Sequence, residues 1–347
     1  MPPWGTSGDT ARQSRQLLVI LEPPDTLYVT VGDADVAYQI FGEGPRDVLL
    51  CNSLGGHVDL LWQLTQGAKF LTEMSAFSRV LHMDRRGSGA SDAMPLSAIP
   101  TWEALAEDIT AVLDAAGSER ADLVGVTEVG PIAILFAAMH PERVRSLILI
   151  NTAARYMRAD DYPIGVAPAT LDAIIDTIAT SWGREELAAA TDPGRVHDRE
   201  FMKAVARMSR ASATPRTAAA QMRYFLGNMD VRPFLELVQI PTLVLHVRAS
   251  PFIPLAHGRY LADHIPSATL IEMPGSDLHP PYGPDAVSDL AEFLTGERPS
   301  NDVDRVLTTI LFTDIVGSTE RAACGRLLRW SWPSLLSFRS RGGTAVP

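Results

Sequence analysis

LVGVTEVGPIAILFAAMH, residues 123–140, is the stretch where an apolar strand pattern meets an apolar helix pattern. Its strand half, ADLVGV from Ala121, has the continuous apolar character of a strand buried on both faces, and its helix half runs from Pro131 to Met139. The same rhythm recurs outward in both directions. LYVTV from Leu27 and DVAYQIFG from Asp35 form a hairpin-like pair around Gly32-Asp33. DVLLCNS from Asp47, SRVLHMD from Ser78, SLILIN from Ser146, PTLVLHV from Pro241 and ATLIEMPG from Ala268 complete eight strand candidates. Helical segments Trp102 to Ala116, Pro131 to Met139 and Asp285 to Leu294 fall between them. Strands alternating with helices predict a doubly wound α/β domain with an eight-stranded, mostly parallel sheet.

The rhythm stops between Asn151 and Pro241, where LDAIIDTIATSW and REFMKAVARMS have helical spacing. A helical cap over about 155–232 is expected there, above the carboxyl ends of the strands, where such sheets bind ligands. The chain is read as a disordered lead-in over 1–25, the α/β domain over 26–298, a polar linker over 299–305, a new strand over 306–323 and an aberrant tail over 324–347. With 46% hydrophobic and 20% charged residues the chain is neither disordered nor collagen-like. A net charge of −11 disfavours nucleic acid and anionic membrane as partners. Cys51 and Cys324 match no zinc or redox spacing, so a reducing compartment and no disulfide are expected. Leu17 to Leu21 is too short for a secretory signal, and no apolar run approaches a membrane span, which points to the cytoplasm.

Gly125-x-Thr127-x-x-Gly130 looks like an altered nucleophile elbow, G-x-S-x-G, in which a sharp turn lifts a nucleophile between residues small enough for strand and helix to approach. Thr127 holds the serine position and Val129 the second glycine. The threonine methyl restricts χ1, and a β-branched valine is expected to fit poorly. Together with MDRRGSGASD (83–92), PTLVLHV and HGRYLADHIPSATLIEMPGSDLHP (257–280), this stretch resembles the α/β-hydrolase superfamily. More narrowly, residues 26 to 300 are similar to the hydrolase-like domain preceding class III nucleotide cyclases in bacterial fusion proteins.

The resemblance implies a serine nucleophile, an acid and a histidine in that chain order, with backbone N–H groups stabilising the oxyanion. Onto this chain it maps Thr127 as nucleophile, Ser250 at the acid position and His279 as base. Asp277, which precedes His279 by two residues, and Asp230 are displaced acid candidates; Asn151 ends the sixth strand, where some relatives keep the acid. Oxyanion donors would be the N–H of Glu128 and of Leu54 or Gly55. Asp84, Arg85, Arg86 and Asp92 read as a structural turn network, and His57 with Asp59 as a satisfied loop pair. The Met- and Ala-rich cap suits a small apolar or acyl ligand, and a dimer is left open.

RVLTTILFTDIVGSTERAA, from Arg305, resembles the first strand and turn of a class III cyclase domain. That resemblance implies Asp314 and the Ile315 carbonyl as ligands of Mg or Mn in a complete domain; no cofactor is implied for the hydrolase part. No Asp or Glu follows Glu320, so the second carboxylate that two hard cations need is missing and cyclase activity is expected to be absent. The Arg-, Ser- and Trp-bearing tail suggests a shifted reading frame near Ala322 to Gly325. Three functions follow as alternatives: a weak hydrolase of ester-like substrates, an inactive ligand-binding domain of a truncated cyclase fusion, or a cyclase fragment completing a site in trans.

Overall fold

Alternate residues along the central strands point into two different cores, and this period of two organises the whole domain. Residues 22–97, 99–279 and 284–298 are described in a computed structural model. Its strands are β1 Leu27–Val31, β2 Ala34–Phe41, β3 Asp47–Asn52, β4 Arg79–Asp84, β5 Ala121–Val126, β6 Val144–Ile150, β7 Thr242–Val247 and β8 Ala268–Met273. They form one sheet of order β1-β2-β4-β3-β5-β6-β7-β8. The pairs β1/β2 and β2/β4 are antiparallel and the remainder parallel. Val31 pairs with Ala34 across the Gly32-Asp33 turn, where Gly32 supplies the positive φ such a tight turn requires.

The helices are α1 Val58–Leu61, α2 Thr65–Ser75, α3 Trp102–Ala115, α4 Gly130–Met139, α5 Pro168–Ser181, α6 Glu185–Thr191, α7 Arg199–Ser212, α8 Pro215–Asn228, α9 Leu255–His264 and α10 Pro284–Thr295. Leu49, Leu123, Leu147 and Val244 pack on one side of the sheet with α3, α4 and α9 through Ile109, Phe136 and Leu261. Val48, Val124, Ile148 and Leu245 pack on the other with α2, α7 and α10 through Leu71, Phe201 and Leu290. Burying each such side chain is worth about 1.5–3 kcal/mol, so a two-faced sheet is the main driver of folding. β8 departs from the expected continuous burial: most of its residues are half-exposed because it is an edge strand. Among the described residues no helix is long and apolar enough to cross a membrane. Cys51 is buried as a free thiol, and Cys324 lies outside the described residues.

Helices α5 to α8 fill the interval between β6 and β7, with Leu171, Ile178, Trp182 and Leu226 packing together and onto Leu54, which follows β3. At the β5–α4 junction a Cβ on Gly125 would lie 2.7 Å from Gly130 Cα, and one on Gly130 would lie 2.2 Å from Thr152 Oγ1. Val129 is no misfit. It has helical angles (φ −81°, ψ −24°) and is buried in the core on the α3 and α4 side of the sheet, because Gly130, one residue later, supplies the close approach. Gly130→Ala is accordingly expected to destabilise the fold by about 1–3 kcal/mol, seen as a lower urea midpoint at unchanged slope.

Candidate active site

β5 ends in a three-residue 3₁₀ turn, Thr127–Val129, that feeds directly into α4. Thr127 adopts φ 50°, a conformation strained for a β-branched residue and costing of order 1–3 kcal/mol. The surrounding structure enforces it: Thr152 Oγ1 donates to the Thr127 carbonyl at 2.5 Å, and the residue is buried. The Thr127 hydroxyl donates to Glu128 Oε2 at 2.7 Å. No hydrogen bond joins it to His279 among the described residues.

Glu128 Oε1 accepts the backbone N–H of Leu54 at 2.5 Å, and Arg85 Nη2 approaches the same oxygen at 3.5 Å. Both charged side chains are almost wholly buried, 2% and 1% exposed. Burial draws the Arg85 guanidinium below its ordinary pKa, while the facing Glu128 charge pulls the other way. Arg85 is further held by Gln221 Oε1 at 2.8 Å and by Phe225, whose ring centre lies 4.7 Å from its Cζ. The expected oxyanion donor Leu54 is therefore not free; the carboxylate beside the nucleophile position occupies its N–H. Glu128 and Gly55 border the same cavity.

His279 meets an acid that sequence reasoning did not consider. Its Nδ1 lies 2.5 Å from Oδ2 of Asp192, and its N–H donates to Asp192 Oδ1 at 3.2 Å. Asp192 follows α6 in the cap, is fully buried, and also accepts from Thr191 Oγ1 at 2.8 Å. Burial disfavours charge on His279, but the Asp192 carboxylate prevails and raises its pKa above the usual 6.5. Burial likewise opposes ionised Asp192, yet His279 and its hydrogen bonds hold it below the usual 3.8.

The displaced acids are engaged elsewhere. Asp277 accepts from Gly194 N–H at 2.7 Å and pairs with Arg195, while Ser250 Oγ accepts from Ile253 N–H. Asp230 binds Arg155 and Arg232. The substitution of Asp277 by Asp192 has a geometric cause: the loop carrying both Asp277 and His279 is zipped onto the cap, Leu278 N–H donating to the Thr191 carbonyl at 2.9 Å. Asn151, itself at φ 45°, clips that loop from the sheet side, its Nδ2 donating to the Leu278 carbonyl and its Oδ1 accepting Val247 N–H.

Thr127, Glu128, His279, Leu54 and Gly55 line one cavity of about 110 Å³ with Tyr156, Ile178, Trp182 and Leu226. One water needs only about 10–15 Å³, so the space admits a small organic group. Asp84 is surrounded by Asn52 Nδ2, Val58 N–H and Ala90 N–H, Arg86 pairs with Asp108, and Asp92 accepts from Asp35 N–H. His57 Nδ1 accepts from Asp59 N–H. No metal-holding cluster occurs among the described residues. Asp314 and Ile315 lie outside them, as does the strand expected over 306–323.

A profile of the alpha/beta hydrolase fold matches residues 48–277, and the chain belongs to that family. Its curated relatives include a pimeloyl-(acyl-carrier protein) methyl ester esterase from Chromobacterium violaceum, 27% identical over 74% of this chain and 96% of that one. Another is 3-oxoadipate enol-lactonase 2 from Acinetobacter baylyi, 29% identical over 77% of this chain and 95% of that one. Among solved structures, the enol-lactonase from Burkholderia xenovorans LB400 superposes with a TM-score of 0.64 at 25% identity, covering 78% of this chain and 100% of its own. The protein is thus an alpha/beta hydrolase with esterase- and lactonase-like homologues.

Proposed function

We propose that the protein is a weak hydrolase of small apolar ester-like substrates, with Thr127 as nucleophile and His279, oriented by Asp192, as base. The observation that carries this reading is the strained Thr127 at the end of β5, in the same cavity as the His279–Asp192 pair. Strain of this kind persists only where its surroundings enforce it, and it gathers at reactive turns. Thr127 Oγ1 would add to the ester carbonyl while its proton passes to His279 and on to the departing alkoxide. Water deprotonated by the same imidazole would then cleave the acyl-enzyme and release the acid. The apolar cavity wall suits an acyl chain, and the names of the curated relatives support oxygen esters as the substrate class. Weak activity is inferred from the threonine, from Ser250 standing where the family's acid is expected, and from Glu128 on the Leu54 N–H. The full chain is expected to hydrolyse p-nitrophenyl butyrate slowly, with the rate falling to background in Thr127→Ala and in His279→Ala. A rate indifferent to both changes would overturn the proposal.

The Glu128–Leu54 contact also favours a second reading, a ligand-binding domain without turnover that belongs to a hydrolase–cyclase fusion. The motif around Asp314 and Ile315 supports the fusion part, with Mg or Mn as the ions a cyclase domain would bind there. Saturable uptake of an apolar ligand with no ester cleavage would favour it. In both readings the partner is a small apolar or acyl molecule in the cytoplasm rather than nucleic acid or membrane, with a dimer as the oligomeric form to test and no cofactor for the hydrolase domain.

A further inference from the structure

Glu128 commits two groups that ester cleavage needs. Its Oε1 holds the Leu54 N–H, and its Oε2 takes the Thr127 hydroxyl proton in a hydrogen bond. A substrate carbonyl seeking the Leu54 N–H would find a carboxylate already there, and the negative charge developing on that carbonyl oxygen would be repelled. The nearest alternative resting place is Arg85. Its Nη2 stands 3.5 Å from Glu128 Oε1, well beyond the roughly 2.7–2.9 Å of a good charge-assisted hydrogen bond. Its Nε, which shares with Nη2 the edge that grips carboxylates bidentately, is buried with no hydrogen-bond partner among the described residues. Gln221, itself fully buried, and the Phe225 ring hold the guanidinium in place from other sides.

We propose that Glu128 is a gate, closing the oxyanion site in the free protein and moving onto the Nε–Nη2 edge of Arg85 when an apolar acyl group enters. This rests on the hydrolase reading and adds a regulating contact to it. The exchange conserves hydrogen bonds. Glu128 gives up one N–H and one hydroxyl, shortens its existing 3.5 Å contact with Nη2 and gains Nε as a new donor, while the substrate oxygen takes over the Leu54 N–H. Since a ligand shifts such an equilibrium only by its differential affinity, acyl chains long enough to fill the cavity between Ile178, Trp182 and Leu226 should open the gate better than acetyl.

The test compares the full chain with Glu128→Ala and with the double variant Arg85→Met/Glu128→Ala, which leaves no unpaired buried charge should the single variant fail to fold. Two quantities are read: kcat/KM on p-nitrophenyl butyrate, and Kd for 1,1,1-trifluorooctan-2-one, whose carbonyl becomes an oxyanion when Thr127 adds to it. Loss of one oxyanion donor typically costs about 10²–10³-fold, so unplugging the site should raise kcat/KM and tighten the ketone at least about tenfold. Ketone affinity that is unchanged or weaker in the folded variants overturns the gate, whatever the ester rates. Tighter ketone binding with no ester cleavage by any form supports the gate and overturns the hydrolase reading instead.

Discussion

Asp192→Ala is expected to lower stability by about 2–4 kcal/mol near pH 5–6 and to take ester hydrolysis to background. The fully buried carboxylate accepts from the His279 ring, the His279 backbone N–H and Thr191, so its removal strands three donors between cap and sheet. The sign of the pH dependence follows from the two shifts. His279 is raised above 6.5, so its contribution is complete below that value and is lost as pH rises through the elevated one. Asp192 is depressed below 3.8, so its contribution is present above that value and is lost as pH falls through the lower one. The difference between wild type and variant is therefore largest between about pH 4 and 6.5, and it shrinks in alkaline solution. Any wild-type hydrolysis should rise as pH passes through the elevated pKa of His279, where the ring loses its proton and can act as a base. Urea denaturation at pH 5.5 and at pH 9 checks the first expectation. An equal loss at both values would mean that the Asp192 carboxylate serves only as a hydrogen-bond acceptor and does not favour the protonated His279 ring.

Arg85→Met should cost more, about 3–5 kcal/mol, because it leaves the Glu128 carboxylate buried with no countercharge. It also removes the donor that Gln221 Oε1 accepts and the cation over Phe225. Adding Glu128→Ala should recover most of that loss, since removing a buried pair together costs far less than breaking it. A double variant no more stable than Arg85→Met would show that the two charges are not coupled and that Arg85 acts through packing alone.

The elbow at Thr127 and the loop at His279 could be located from the sequence because each sits in a motif with local spacing. Asp192 could not. It ends a seven-residue cap helix and is followed by Pro193-Gly194, a pattern that reads as an ordinary turn. Asp277, two residues from His279, is one of two displaced acid candidates, yet side chains two apart on an irregular loop need not face the same way, and Asp277 turns to Arg195. Val129 illustrates the converse case. A motif read position by position made it a misfit, while the backbone moved the requirement for no side chain to Gly130.

The sheet, its two cores and the inserted cap were determined by the sequence alone, because period-two and helical apolar patterns are local properties of the chain. Helices α1, α2 and α9 escaped that reading. Which charges meet was decided only by the tertiary structure. His279 and Asp192 are 87 residues apart, and Leu54 and Glu128 are 74 apart. Such pairs carry no periodic signal; their energies come from burial and from distances of a few ångströms, which exist only once the cap has closed over the strand ends.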